Sequence, residues 1–284
     1  MTPSRIVIKL GGASLQDEAV LSVFAGAIRQ YRRFGFEVIV VHGGGPAINA
    51  ELTRLGIIWS FLHGQRVTTP EMMKVVEKVL VDQVNSSLVD VLKSHGLAVQ
   101  GLSGADGRIL FCTPISEELG LVGLIREVSV QKIEEVLSRP DSPIPVVAPI
   151  GVGVQDERYN INADWAASRL AVELKAKYLI FLTDQSGILN GEGKTIRTIS
   201  VPHLKELVEN GVVTQGMLTK TRTILSALEN GVNAVRVMNG LETLNGLWSD
   251  SIGTWCLPAD VCLPSGVCLP TEVSVPAEAR PAYV

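Results

Sequence analysis

Ile6-Val7-Ile8-Lys9-Leu10-Gly11-Gly12 is an apolar, largely β-branched run that carries one lysine near its end and stops in two glycines. Such a run reads as a buried strand followed by a tight turn. Beyond the turn, Val20, Leu21, Phe24, Ile28 and Tyr31 recur on one face of a helix, and Gly35 ends it. Glu37 to Val41 is a second strand, and it too runs into glycines. His42-Gly43-Gly44-Gly45-Pro46 opens a helix that continues to about Leu55. Thr69-Pro70 supplies an N-cap with proline at the first helical position, and the helix it starts extends to about His95-Gly96. Further apolar strands follow at Val99 to Leu102, Val146 to Ala148, Leu179 to Leu182 and Val235 to Met238. Strands that are apolar throughout, separated by helices, define a parallel sheet covered on both faces. The expected fold is therefore α/β, a three-layer αβα sandwich around a central, mainly parallel open sheet. Ligands bind such sheets beyond the carboxyl ends of the strands, so the chemistry belongs in the loops that follow them.

The 284 residues are 46% hydrophobic and 19% charged, a globular composition rather than a disordered one. Lys and Arg number 25 against 29 Asp and Glu, for a net charge of −4, so neither a nucleic-acid surface nor an anionic-membrane surface is expected. An aromatic content of 5% is too low for a base-stacking platform. No apolar run approaches the ~18 residues of a membrane helix, and Lys9 interrupts the early hydrophobic stretch, so a cytoplasmic protein without a signal peptide is expected. Four cysteines do not make a disulfide scaffold in a chain of this length. The proline-rich stretch from Ser138 to Pro145 is the best candidate for a change of lobe. Beyond about Thr254 the character changes. Cys256-Leu257-Pro258 recurs as Cys262-Leu263-Pro264 and Cys268-Leu269-Pro270, without helical periodicity. The expected division is a single folded domain over residues 1–255 and an extended or disordered tail over 256–284.

Two glycine-rich loops after neighbouring strands, one carrying Lys9, favour phosphate binding, because glycine lets backbone amides approach an anion at a strand-to-helix turn. Tight turning alone would also explain either loop. Competing motifs fail. Gly187 and Gly193 are separated by five residues rather than the four of a P-loop, and Lys194-Thr195 precedes no clear helix. Gly151-Val152-Gly153 lacks the third glycine of a dinucleotide fingerprint. No Gly-x-Ser-x-Gly elbow accompanies the His-Gly-Gly-Gly run, so a hydrolase lacks its nucleophile. The four histidines, at 42, 63, 95 and 203, have no metal-ligand spacing, His42 reads as a strand-end packing residue, and no metal ligand is expected. Polar groups gather instead at later strand ends: Asn160-Ile161-Asn162-Ala163-Asp164, Thr183-Asp184-Gln185-Ser186-Gly187, and Gly216 to Lys220 opening a helix. Asp164 alone reads first as an acidic residue capping a first helical turn, and only the co-occurrence of these pieces turns the reading toward a site.

Taken together, Lys9 to Gly12, Val41 to Pro46, Gly64-Gln65-Arg66-Val67-Thr68, Gly101 to Gly107, Pro145 to Gly151, Asn160 to Asp164, Leu182 to Ile188 and Gly216 to Lys220 resemble the motifs of the amino acid kinase family. They span residues 5 to about 254. The Lys-x-Gly-Gly and Asn-Ala-Asp pieces are common to the wider family. Gly-Gln-Arg-Val-Thr and Gly-Leu-Ser-Gly-x-Asp-Gly are narrower and point to an acylated acidic amino acid as acceptor. The resemblance implies an amino acid kinase-like fold, with an acyl-amino-acid and dimerisation lobe over about 1–155 and an ATP lobe over about 156–255. It implies transfer of the γ-phosphoryl group of ATP to the side-chain carboxylate of N-acetyl-L-glutamate, in arginine biosynthesis, with Mg²⁺ carried on the phosphates.

By the same resemblance Lys9 and Lys220 flank the transferred group and Asp164 holds both, while amides of Gly11, Gly12 and Gly44 add donors. Gly44, Gly45, Arg66 and Asn160 hold the acceptor. Asp184, Gln185, Ser186, Gly187, Ile188 and Leu189, together with Val212, Val213 and Thr214, face the adenosine, and Gly11 and Gly12 lie on the ATP side. Family members controlled by arginine carry an extra helix before the first strand, so a homodimer without arginine feedback is expected. Two alternatives stay open: a kinase for the one-carbon-longer, carrier-linked aminoadipate, and a nucleotide-responsive binding protein on the same fold without turnover.

Overall fold

The computed structural model describes residues 4–12, 14–213, 215–240 and 252–258. The expectations for Thr214 and for the tail from residue 259 onward lie outside the described residues. Along the chain, β1 (Ser4–Leu10), α1 (Glu18–Arg33), β2 (Phe36–His42) and α2 (Gly45–Arg54) follow the pattern read from the apolar periodicity. A short hairpin of β3 (Phe61–Leu62) and β4 (Gln65–Arg66) leads to α3 (Pro70–Glu77), a π-helical segment (Lys78–Asn85) and α4 (Ser86–Ser94). Next come β5 (Val99–Ser103), β6 (Leu110–Pro114), β7 (Gly123–Val128), α5 (Gln131–Leu137), β8 (Ile144–Ala148), β9 (Ile150–Val152) and β10 (Arg158–Asn160). The rest is α6 (Ala163–Glu173), β11 (Tyr178–Thr183), β12 (Thr198–Ser200), α7 (Val201–Glu209), α8 (Gln215–Glu229), β13 (Ala234–Asn239) and β14 (Thr254–Leu257).

The main sheet has the order β12-β14-β13-β11-β1-β2-β8-β5. All neighbours are parallel except β13 and β14. Residues alternate between its two covered faces. Ile6, Ile8 and Leu10 join Val38, Val40, Ile180 and Leu182 against Phe24 and Ile28 of α1 and Leu88 and Leu92 of α4. Val7 joins Ile39, Val41, Leu179, Phe181 and Val237 against Ala167 and Leu170 of α6, Leu204 of α7 and Ile224 of α8. By this period of two, Lys9 falls on the α6 and α8 face at the very end of β1. From β1 the chain moves to β2 on one side, and from β11 it moves on to β13 on the other. The diverging connections open a crevice above the carboxyl ends of β1 and β11, where an open α/β sheet binds ligand.

Several elements differ from the sequence expectation. A second, four-stranded sheet, β10-β9-β6-β7, packs beside the main one. Its strands are short and were not legible as a separate layer. The stretch Ser138 to Pro145 joins α5 to β8, which lies between β2 and the edge strand β5 of the main sheet. Cys256 and Leu257, expected to begin the tail, lie in β14 between β12 and β13, and Cys256 is fully buried. The long helix expected from 70 to about 95 is interrupted by the π turn at 78–85.

Candidate active site

Asn162 is the N-cap of α6: its side-chain oxygen accepts from the amides of Asp164 (2.9 Å) and Trp165 (3.4 Å). This cap fixes Asp164 in the first turn, directly beneath the end of β1. Lys9 Nζ lies 2.9 Å from Asp164 Oδ1, and Lys220 Nζ, reaching over from α8, donates to Oδ2 at 2.6 Å. Lys220 also sits 5.0 Å from the centre of the Phe181 ring. The three side chains are about nine-tenths buried, and two cations around one anion leave one positive charge uncompensated. Burial opposes ionisation of Asp164, yet the two ammonium groups outweigh it and hold the carboxyl well below the usual carboxylate range. Burial pushes Lys220 below its ordinary value by more than Asp164 restores, with Lys9 adding like-charge repulsion. An anion entering here would meet fixed positive charge in a poorly solvated site, where it counts most.

Two cavities meet at this trio. One, of about 240 Å³, is lined by Lys9, Gly12, Gly43, Gly44, Gly45, Ile48, Phe61, Gly64, Gln65, Arg66, Leu80, Val122, Pro149 and Asn160 to Asp164. The other, of about 460 Å³, is lined by Thr183, Asp184, Gln185, Leu189, Val212, Val213, Gly216, Met217 and Lys220. In the first, Arg66 is 6% exposed. Asn49 accepts from its Nη2, and its guanidinium stands 5.2 Å from the Trp59 ring centre and 4.9 Å from that of Phe61. Its Nη1 is buried with no hydrogen-bond partner among the described residues. The β3–β4 turn that places it needs positive φ at His63 (50°) and Gly64 (76°). Asn160 Nδ2 donates to Thr68 Oγ1 at 3.1 Å.

The glycine loops interlock. A Cβ on Gly12 would lie 2.8 Å from Pro46 Cδ and 3.2 Å from the Gly44 amide, so only glycine lets the loops pass this closely. Gly44, the N-cap of α2, and Gly45, its first residue, both line the first cavity, so the start of the helix lies at its wall.

Most sequence-predicted site residues converge here, but not all as expected. Gly11 is not a free donor, since its amide bonds to Leu182 O at 2.9 Å and ties β1 to β11. Gly12, expected on the ATP side, lines the first cavity. Asp184, Gln185, Leu189, Val212 and Val213 line the second cavity; Ser186, Gly187 and Ile188 do not. Ile188 is fully buried in the core, with its amide donating to Thr254 Oγ1 at 2.8 Å, and Gly187 packs under Thr254 with a φ of 140°. They shape the loop from behind. Sequence reasoning missed Asn49, Trp59 and Phe61, which hold Arg66. Their partnership depends on the hairpin, whose two-residue strands are too short to show periodicity.

A deep, positively charged junction between two cavities at the switch point of a parallel sheet defines a class of proteins that bind a polyanion against a second, smaller ligand. The chain belongs to the amino acid kinase family, whose model matches residues 4–239. It is 39% identical over 235 residues to the acetylglutamate kinase of Ruegeria pomeroyi, covering 83% of this chain and 81% of that one. To the acetylglutamate kinase of Bacillus cytotoxicus it is 39% identical over 249 residues, covering 88% and 94% respectively. Among solved structures, smu.665 from Streptococcus mutans superposes with a TM-score of 0.78 at 28% identity, over 89% of this chain and 98% of that one.

Proposed function

We propose that this chain transfers the γ-phosphoryl group of ATP to the side-chain carboxylate of N-acetyl-L-glutamate, forming an acyl phosphate and ADP, as its relatives' names suggest for arginine biosynthesis. The observation that carries the reading is the Lys9–Asp164–Lys220 trio at the meeting of two cavities. A carboxylate is already a nucleophile, so the acceptor needs no general base. The barrier lies in bringing two anions together and stabilising charge on the phosphoryl oxygens in flight. Lys9 approaches from the acceptor cavity and Lys220 from the nucleotide cavity, so both ammonium groups flank the transferred group. Asp164 holds both in place through its two oxygens without touching substrate.

Arg66 Nη1 takes the acceptor α-carboxylate, where its partial fixing by Asn49 and two rings limits the entropy lost on binding. Asn160 and the amides of Gly44 and Gly45 hold the carboxylate and acetamido groups. Asp184, Gln185, Leu189, Val212 and Val213 receive the adenosine. Mg²⁺ rides on the ATP phosphates, where it offsets their charge; the described residues offer no cluster of three or more His, Cys, Asp or Glu to hold it alone. Among them no helix is long and apolar enough to cross a membrane. A cytoplasmic homodimer, tested by fractionation and light scattering, completes the reading.

A coupled ADP-release assay with N-acetylglutamate, acetylaminoadipate and unacetylated glutamate tests it. Turnover is expected with N-acetylglutamate. Preference for acetylaminoadipate would move the assignment to the longer acceptor, and tight ATP binding with no ADP from any acceptor would make the chain a binding protein. Lys220→Ala is expected to lower kcat on the order of 10²–10³-fold.

A further inference from the structure

Behind the second glycine loop lies a buried polar relay that the proposed chemistry does not use. His42, fully buried at the end of β2, has its Nδ1 2.8 Å from Gly43 O and its Nε2 3.0 Å from Asn85 Nδ2. Asn85 Nδ2 also donates to Val146 O of β8 at 2.9 Å. An amide nitrogen only donates, so Nε2 must accept, and the ring proton sits on Nδ1, donating to the Gly43 carbonyl. Burial pushes the imidazole down to about 4, in keeping with this neutral form. The chain of bonds runs from the sheet through Asn85 and His42 to the peptide between Gly43 and Gly44. The nitrogen of that peptide is one of the amides at the mouth of α2.

The π turn brings a second contact to the same loop. Leu80 lies where a Cβ on Gly44 would fall, and Asn85 Oδ1 lies where one on Gly101 would fall. In an α-helix residues 80 and 85 would point about 140° apart. The i→i+5 winding over Lys78–Asn85 turns them closer to one side, so both meet the 42–45 loop. The first glycine of the Gly101 to Gly107 motif thereby finds a role, making room for Asn85.

We propose that Asn85 and His42 are positioning residues, which set the orientation of the Gly43–Gly44 peptide toward the transferred phosphoryl group. The proposal rests on the phosphoryl-transfer reading above for its kinetic consequence, though not for its structural one. The test compares His42→Phe, Asn85→Leu and the double variant. Each single change strands a buried polar partner and lowers Tm. The double variant replaces both partners by apolar groups, so Tm recovers toward wild type. Positioning predicts that kcat nevertheless stays down in the double variant, on the order of 10- to 100-fold, with KM for ATP unchanged. Recovery of kcat together with Tm would reduce the relay to structural support and overturn the proposal. A crystal structure of the double variant reads the same question without turnover. A rotated Gly43–Gly44 peptide is expected, and an unmoved one overturns the proposal even if wild-type protein proves inactive with every acceptor.

Discussion

Asp164 carries two opposite demands, since it is buried, which disfavours its charge, and it is ion-paired to two buried ammonium groups. Asp164→Asn removes the charge while keeping the shape. It leaves Lys9 and Lys220 facing each other without compensation, and a cost of about 3–5 kcal/mol in urea unfolding at pH 7 is expected. The sign with pH follows from the depressed carboxyl. Its stabilisation is complete above the ordinary aspartate value and fades as pH falls through the lower native value. The stability gap between wild type and Asp164→Asn therefore narrows in acid. Lys220 shifts downward, so the kcat profile of the wild type should fall on its alkaline side below the ordinary lysine value. Lys220→Arg should lack that limb, because a guanidinium stays charged there.

Elements decide where these residues can act. Strand β14 supports a wall of the second cavity although it lies far along the chain: Thr254 Oγ1 accepts from the Ile188 amide, within the 184–189 loop whose Asp184, Gln185 and Leu189 line that cavity. Thr254→Val keeps the shape and removes the acceptor. It should cost about 1–3 kcal/mol of stability and raise KM for ATP while leaving KM for the acyl amino acid unchanged, as initial-rate kinetics would read. Periodicity made β1, α1 and β2 legible because each buries a continuous face, whereas Asp164 was singled out only by the motif around it, and the structure adds that Asn162 caps the helix that carries it. β14 was not legible, since its last two residues open a Pro-punctuated repeat and its strand geometry comes from β12 and β13 on either side.

Across the whole molecule, the acceptor cavity draws on segments between Lys9 and Asp164, and the nucleotide cavity on segments between Thr183 and Lys220. They share one sheet and touch at one ion trio. Separate ligand walls predict separable binding. In thermal-shift experiments N-acetylglutamate and an ATP analogue should each raise Tm, because each binds only the folded state. Arg66→Lys should suppress the shift with N-acetylglutamate and spare the shift with nucleotide, since lysine keeps the charge and loses the planar fork. Equal loss of both shifts would mean that Arg66 supports the fold rather than one cavity.

The sequence by itself determined the α/β class and the two glycine loops, because strand hydrophobicity, helix caps and glycine turns are set by near neighbours along the chain; that Lys9, Lys220 and Asp164 belong together came from the family resemblance of their motifs. Only the tertiary structure decided which amides are free, as Gly11 shows by bonding across to Leu182. It alone revealed the second sheet, the hairpin clasp on Arg66 and the relay from Asn85 through His42. Each of these depends on groups brought together from distant parts of the chain, and no local pattern encodes which partner a buried hydrogen-bonding group will find.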